Sequence, residues 1–322
     1  MTGEKLPEIV HVVSHGPQCL DGVTAAVVVA RYYRHATMRV QFSSNPEIND
    51  RLCALRCDPP EAAHEVWITD ISWTDPRVDQ HLQALIDRGV AVYWIDHHRT
   101  ALERVRRGEV TVRLTDRVIS EACAASRLTY EYLRARLLAG GATNEWFAAL
   151  QKLVEMADDN DRWLHRIPGS RRLALVVATP ALDAYEELLH IDADVTYTAR
   201  MRRAEQQIEA ALARSLAVAE RSRVIQQLPD GRAVSTAVCD GYPSEIADTW
   251  AKTARNTIFA LFDARSLTVS LRRSPDCTVD LSVLAEALGG GGHAAAAGCE
   301  LPELRVQLAR ALAEIVTGAL KE

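Results

Sequence analysis

The feature that most constrains the fold of this chain is the alternation of short apolar runs with longer helix-like segments over its first 95 residues. The apolar runs are rich in valine and isoleucine and fall at residues 9–14, 38–42, 65–69 and 90–95. The segments that separate them, which are long enough for crossover helices, cover residues 21–34, 45–57 and 76–88. Near-continuous apolar runs are typical of strands buried on both faces of a parallel sheet. The alternation therefore predicts an α/β fold with an N-terminal doubly wound parallel sheet, whose ligands bind at the carboxyl ends of the strands.

The chain has 322 residues, which is enough for about two domains that each bury a core of their own. A largely helical stretch is followed by a long polar segment, which predicts one extended connecting helix. Beyond it, strand-like runs alternate with helix-like segments and predict a smaller C-terminal α/β domain. We expect a first domain at residues 1–191, a helical linker at 192–223 and a second domain at 224–322.

Charge and composition limit the partners of the chain. Its net charge of −6 does not suit broad binding to duplex DNA, which depends on many cationic contacts with phosphates. Because no apolar stretch is long enough to span a membrane and residues 1–7 show no secretory leader, we expect a cytoplasmic protein without a membrane partner. The seven cysteines are irregularly spaced and form no CxxC pair, which indicates mostly free thiols. Cys53 and Cys57 could share a helix face, but with no second pair nearby they do not by themselves indicate a zinc site.

Acidic and histidine side chains follow three of the predicted strands, and a further acidic run, at residues 158–161, ends a predicted helix. The strand-end side chains are His15, Cys19, Asp21, Asp70, Asp96, His97 and His98. A single aspartate at a strand end is more often a turn or cap residue. Three such clusters on one parallel sheet would meet at one edge, where they would repel one another unless a cation compensated them. A carboxylate-rich set with some imidazole suits Mn²⁺, Mg²⁺ or Fe²⁺, and two such ions could serve a displacement at phosphorus.

The triplet Asp96-His97-His98 resembles the motif that gives the DHH phosphoesterase superfamily its name. Residues 269–274, 279–282 and the glycine-rich segment 289–298 resemble the DHH-associated substrate domain with its GGGH loop. The motifs occur in the family order over residues 9–300. This resemblance, which is to the standalone nanoRNases and small-nucleotide phosphodiesterases, implies a DHH domain followed by a substrate-binding domain.

The resemblance also implies a site for two divalent metal ions and a role for each residue. The implied ligands are His15 for the first metal, Asp21 and His97 for the second, and Asp70 as a bridge. Asp96 corresponds to a group that orients the cluster, and His98 to a histidine that faces the substrate, so both are expected to assist catalysis.

The acidic run is harder to align with the family motif. Asp159 fits the family frame as a further ligand of the second metal. Asp158 is the alternative ligand, and Asp161 is expected to be a supporting residue.

One position departs from the family pattern, because Cys19 stands where the first motif usually has an aspartate. A thiolate can ligate a metal, but it is softer than a carboxylate and favours zinc or iron. We therefore expect two divalent ions, with Mn²⁺ as the first choice and Fe²⁺ or Zn²⁺ as alternatives, and we place Cys19 among the ligands. The other interpretation is that Cys19 is an unligated thiol and the first metal is weakened.

In the family, the glycine-rich loop of the second domain holds the nucleotide. The corresponding residues are Arg272, Gly290, Gly291, Gly292 and His293. Arg273 is an alternative to Arg272, but strand alternation sends the two side chains to opposite faces.

These features predict a metal-dependent phosphodiesterase that hydrolyses short oligoribonucleotides or linear or cyclic dinucleotides to mononucleotides by a metal-activated water. The alternatives are a 3′-phosphoadenosine 5′-phosphate phosphatase and a nucleotide-binding protein with impaired catalysis. The expected partner is a small nucleotide or short RNA, and a homodimer is left open.

Overall fold

The structure is a computed structural model that describes residues 6–164 and 166–320. The chain divides into two compact units, Met1–Gln206 and Gln207–Glu322. His165, which comes two residues after Trp163 in the sequence, lies outside the described residues.

The first unit contains a five-stranded sheet in which every pair of neighbouring strands is parallel. Its strands are β1 (Ile9–His15), β2 (Thr37–Ser43), β3 (His64–Thr69), β4 (Ala91–Asp96) and β5 (Asp116–Ile119). They lie in the order β2-β1-β3-β4-β5, so β1, β3 and β4 are adjacent at the centre. The predicted α/β fold with an N-terminal parallel sheet is confirmed.

Nine helices belong to the described part of the first unit, and a tenth crosses the division between the units. They are α1 (Leu20–Tyr32), α2 (Ile48–Ala54), α3 (Pro76–Ile86), α4 (Arg99–Arg106), α5 (Ala125–Ala139), α6 (Glu145–Ala148), α7 (Gln151–Asp161), α8 (Ser170–Val177), α9 (Ala184–Leu189) and α10 (Ala199–Ser222). The last of these is the long polar helix that the sequence predicts.

The central strands are apolar because helices cover both faces of the sheet. On one face, Val66 and Trp94 pack with Trp73 and Leu82 in a fully buried cluster. The indole nitrogen of Trp94 donates to the Ile71 carbonyl at 3.1 Å, so its one polar group is satisfied. The sequence did not reveal β5, because this edge strand is only partly buried and therefore carries polar residues.

The second unit contains a mixed six-stranded sheet. Its strands are β6 (Val224–Gln227), β7 (Ala233–Cys239), β8 (Thr257–Asp263), β9 (Thr268–Arg273), β10 (Gly291–His293) and β11 (Ala296–Cys299), in the order β10-β11-β9-β8-β7-β6. Its helices are α11 (Pro243–Ala251), α12 (Leu281–Ala287) and α13 (Pro302–Ala319). The pair β7–β8 is parallel and the other pairs are antiparallel.

Among the described residues, no helix combines the length and the apolar character that crossing a membrane requires. All seven cysteines are present as unpaired thiols, as their spacing predicts.

Candidate metal centre

Three neighbouring strands of the first sheet end in the residues that the sequence singles out. His15 is the last residue of β1, Asp70 follows β3 directly, and Asp96 is the last residue of β4. Because parallel strands all end at the same edge, these residues and the histidines after Asp96 converge at one place.

Asp70 lies at the centre of this convergence. Its carboxylate is 3.6 Å from His15 Nδ1, 3.5 Å from Cys19 Sγ and 3.3 Å from His97 Nε2. The side chain is buried, and the backbone has a φ of 58°, in the left-handed region that few non-glycine residues adopt. The Asp70 N–H donates to the Ile95 carbonyl on β4 at 3.0 Å, which fixes this turn. Asp70 is therefore the one carboxylate that lies within 3.6 Å of His15, Cys19 and His97 together among the described residues.

His97 faces three carboxylates with one ring nitrogen. Its Nε2 lies 3.3 Å from Asp70 Oδ1, 3.8 Å from Asp21 Oδ2 and 3.6 Å from Asp161 Oδ2. This nitrogen is buried and has no well-formed hydrogen bond to any of the described residues. Leaving such a group unsatisfied in the interior is unfavourable. A cation held by the nitrogen and the carboxylates would satisfy all of them, so the residues present fit a metal.

Asp21 is held in place by the start of α5. Its two oxygens accept hydrogen bonds from the Ala125 and Ser126 N–H groups, each at 2.9 Å. The following residue must be glycine, because a Cβ on Gly22 would lie 2.1 Å from the His15 carbonyl oxygen and 3.0 Å from Asp70 Oδ2. This close approach brings the first turn of α1, and with it Asp21, against the end of β1.

The electrostatics of the cluster are those of crowded negative groups. Burial, with the nearby charges of Asp70 and Asp161, raises the pKa of Asp21 well above its usual value. Burial and the same kind of repulsion also raise the pKa of the Cys19 thiol. Burial opposes ionisation of Asp70 as well, but its contacts with His15 and His97 lower its pKa overall. Burial would lower the pKa of His97, yet the contact with Asp70 and the charge of Asp161 raise it to about 9. A bound divalent cation would compensate this excess of negative charge.

The structure corrects the choice of ligand in the acidic run at the end of α7. Asp159 is buried, and its oxygens accept hydrogen bonds from the Arg166 N–H and the Ser170 hydroxyl. Asp161 instead lies beside His97 and Asp21, within the span of a metal site. Asp161 therefore replaces Asp159 in the candidate ligand set.

Asp158, the alternative ligand from the sequence, also has another partner. It accepts a hydrogen bond from the Ala124 N–H at 2.8 Å and forms an ion pair with Arg127 at 3.0 Å. These contacts tie α7 to the start of α5, which carries the groups that hold Asp21. Asp158 therefore holds the backbone at the start of α5, and that backbone holds the carboxylate of Asp21.

Asp96 organises the histidine pair. One of its oxygens accepts from the His97 N–H at 2.7 Å, the His98 N–H at 3.1 Å and His98 Nδ1 at 2.7 Å. The hydrogen bond to Asp96 raises the pKa of His98, which is half exposed. One carboxylate oxygen of Asp96 thus contacts the backbone of both histidines and the ring of His98.

In the second unit, the residues predicted to bind substrate line one groove of about 1020 Å³. Those residues are Arg272, Gly290, Gly291, Gly292 and His293. A Cβ on Gly290 would lie 2.1 Å from the Gly298 carbonyl oxygen, so the loop can take this course only with glycine there. Arg272 donates to the Ser244 hydroxyl at 2.7 Å, whereas Arg273 donates to the Val279 carbonyl at 2.6 Å, so the two point in different directions.

Substitutions of Asp159 and Asp161, both on α7, should have opposite effects. Asp161→Asn should weaken metal binding by at least about tenfold with little change in the unfolding temperature, because Asp161 has no structural hydrogen bond to lose within the described chain. Asp159→Asn should lower the unfolding temperature and leave the metal stoichiometry unchanged, because its partners are structural. Calorimetric titration with Mn²⁺ and thermal unfolding of both variants measure the two effects. The opposite pattern would return Asp159 to the ligand set.

Comparisons with known proteins agree with this architecture. The family profile of the DHHA1 domain matches residues 233–321. A search of curated proteins finds no match to the chain.

Three solved structures share its fold at low sequence identity. The pGpG-specific phosphodiesterase PggH from Vibrio cholerae is 13% identical with a TM-score of 0.56, over 96% of this chain and 99% of that one. The DHH domain of a member of the s1p family of ribosomal proteins is 16% identical with a TM-score of 0.55, over 96% and 86%. RecJ from Thermus thermophilus, in complex with Mn²⁺, is 16% identical with a TM-score of 0.51, over 97% of this chain but only 52% of RecJ. The chain thus shares the fold of these three structures, and its C-terminal part matches the DHHA1 domain that its glycine-rich motif predicts.

Proposed function

We propose that the chain is a metal-dependent phosphodiesterase that hydrolyses short nucleotides to mononucleotides. The observation that carries this proposal is the convergence of Asp21, Asp70 and Asp161 on the buried nitrogen of His97. A parallel sheet brings these groups together at its ligand-binding edge, and their mutual repulsion leaves a place for cations.

The ligand atoms fall into groups that suit two neighbouring metal positions. One group is His15, Cys19 and Asp70, and another is Asp21, His97 and Asp161, each with its ligand atoms within 4.8 Å of one another. Asp70 also contacts His97, so it connects the two groups. Two divalent ions at such positions would lower the pKa of a water molecule and offset the charge that develops on the phosphoryl oxygens.

His98 is placed to move a proton. The Asp96 carboxylate fixes the orientation of its ring and raises its pKa, so the imidazolium is available as a donor. It lies in one group with Asp70 and His97, close to where the phosphate would be held. We assign His98 the role of donating a proton to a phosphate oxygen or to the leaving group.

The class of substrate follows from the second unit. Its groove combines the Arg272 guanidinium with the exposed His293 and a loop of four glycines, a combination that can accept an anionic nucleotide. The shared fold with a pGpG-specific phosphodiesterase supports a linear dinucleotide as the first substrate to test. Oligoribonucleotides, cyclic dinucleotides and 3′-phosphoadenosine 5′-phosphate are the other members of the test panel.

Loss of Asp70 or His97 as a metal ligand should strongly reduce the rate of hydrolysis. With Mn²⁺ and a panel of linear and cyclic dinucleotides, Asp70→Asn and His97→Ala should each reduce kcat by more than about 100-fold. Chromatography of the products over time gives the rates. Activity within about tenfold of the unsubstituted protein would contradict the metal mechanism.

Asp79→Asn is the matched control for these variants. Asp79 is a buried aspartate of the same unit, but it accepts hydrogen bonds from Trp73 and Thr111, away from the cluster. Its rate per folded molecule should stay close to that of the unsubstituted protein.

The groove in the second unit should affect binding more than chemistry. His293→Ala should raise KM for a dinucleotide by about tenfold and leave the hydrolysis of a small activated phosphodiester unchanged, since the small substrate does not need the groove. His190→Ala, at an exposed histidine of the first unit, is the control and should change neither value. Equal losses on both substrates would contradict this division of roles.

Cys19 should set the metal preference. If it ligates the first metal, Cys19→Asp should shift the preference from softer ions toward Mn²⁺, because a carboxylate is a harder ligand than a thiolate. The measurement is the rate with Mn²⁺ relative to the rate with Zn²⁺ or Fe²⁺, together with metal counts for Cys19→Ser. Unchanged metal counts and an unchanged ratio would remove Cys19 from the ligand set.

A chain that binds nucleotide but hydrolyses none of the panel would favour the nucleotide-binding alternative.

A further inference from the structure

A second cluster of metal-ligating side chains lies apart from the candidate metal centre. It consists of His11, Cys57 and His64, all three of them buried. His11 and His15 are both on β1, four residues apart, which places their backbones about 13 Å from each other. The cluster is therefore a separate feature, and neither the DHH motifs nor the proposed phosphodiesterase chemistry uses it.

Two strands and the loop that leads into the second of them supply the cluster. His11 comes from the middle of β1, His64 is the first residue of β3, and Cys57 lies in the segment after α2. One ligand atom from each residue can be chosen so that all three lie within 4.8 Å of one another. His11 Nε2 and His64 Nδ1 are 3.1 Å apart.

The orientation of His64 is that of a metal ligand. Its Nε2 lies 2.8 Å from the Pro59 carbonyl, which can only accept, so Nε2 carries the proton. The lone pair is then on Nδ1, which faces His11 inside the cluster. Ligating histidines are held in this way, with the outer N–H bonded to a carbonyl or carboxylate and the inner nitrogen directed at the metal.

The ligand types select the ion. Two imidazoles and one thiolate suit Zn²⁺, which takes tetrahedral sites with bonds of about 2.0–2.1 Å to nitrogen and about 2.3 Å to sulfur. Such bonds separate neighbouring ligand atoms by about 3.3–3.7 Å. The two nitrogens, 3.1 Å apart, are already close to this spacing. The sulfur lies within 4.8 Å of a ligand atom on each histidine, and binding would draw it closer. Burial, followed by the neighbouring His64, lowers the pKa of His11 to about 4, so its ring is neutral as a ligand must be. Burial raises the pKa of the Cys57 thiol, so an ion that took up its thiolate would release a proton.

We propose that His11, Cys57 and His64 bind a structural Zn²⁺ ion within the first unit. The fourth position would be filled by a water molecule. The ion would join β1 and β3 to the segment after α2 and would stabilise the fold against unfolding. A buried pair of hydrogen-bonded histidines that needs no metal is the competing explanation.

Metal counting tests the proposal on the full chain. Protein produced with added zinc and then dialysed should hold one equivalent that Cys57→Ser loses. Cys53→Ser is the matched control, because Cys53 lies four residues earlier, on α2, and belongs to no group of metal-ligating residues in the described chain. It should keep the ion. His97→Ala should also keep it, because that variant affects only the candidate metal centre. Equal zinc content in Cys57→Ser and Cys53→Ser would overturn the proposal.

A spectroscopic measurement covers the case in which Cys57→Ser does not fold. In the Cys19→Ser background, no cysteine ligand remains at the candidate metal centre. Co²⁺ should then still give a sulfur-to-metal charge-transfer band with tetrahedral d–d absorption, and Zn²⁺ should abolish both by displacement. Absence of the charge-transfer band in folded Cys19→Ser protein would overturn the proposal. The proposed phosphodiesterase activity is independent of this result, since a failed zinc site leaves Asp70 and its neighbours unchanged.

Discussion

The contact on which the rest of the site depends is the meeting of the Asp70 carboxylate with His15, Cys19 and His97 at the carboxyl edge of the sheet. Concentrating ionisable groups in a buried place is unfavourable unless opposite charge is supplied. Hydrogen bonds from His15 and His97, with the charges of His98 and His97, supply part of the compensation, which is why the pKa of Asp70 is lowered although the residue is buried. The raised pKa of Asp21 shows that the compensation is incomplete within the chain itself. A fold that assembles such a cluster is suited to divalent cations.

The surrounding architecture serves to hold this cluster rigidly. Central strands with buried faces fix the positions of the strand ends, and Gly22 permits the close approach of α1. The start of α5 orients Asp21 with two backbone hydrogen bonds, and Asp158 in turn ties α7 to that start. Groups that position ligands are thus spread over several helices, and metal sites generally depend on such supports.

The parts that could be predicted from the sequence are those with a local signal. The buried strands β1, β3 and β4 are apolar, so they could be predicted, and the residues at their ends could be assigned to one edge. The sequence around Asp159 and Asp161 does not show which of them faces the metal site, because both stand in one acidic run on α7. They point about 160° apart around the helix axis, and the partners that decide between them, such as Ser170, come from elsewhere in the chain. The cluster at Cys57 was missed for the same reason, since its two histidines come from separate strands.

The central claim is that the edge of the first sheet holds two divalent cations that share Asp70. The most direct measurement is a crystal structure of the chain grown with Mn²⁺, with anomalous scattering collected to locate the ions. The account predicts two peaks that share the Asp70 carboxylate, one enclosed by Asp21, His97 and Asp161 and the other beside His15. Mn²⁺ at saturating concentration with no anomalous peak within bonding distance of Asp70 would contradict it.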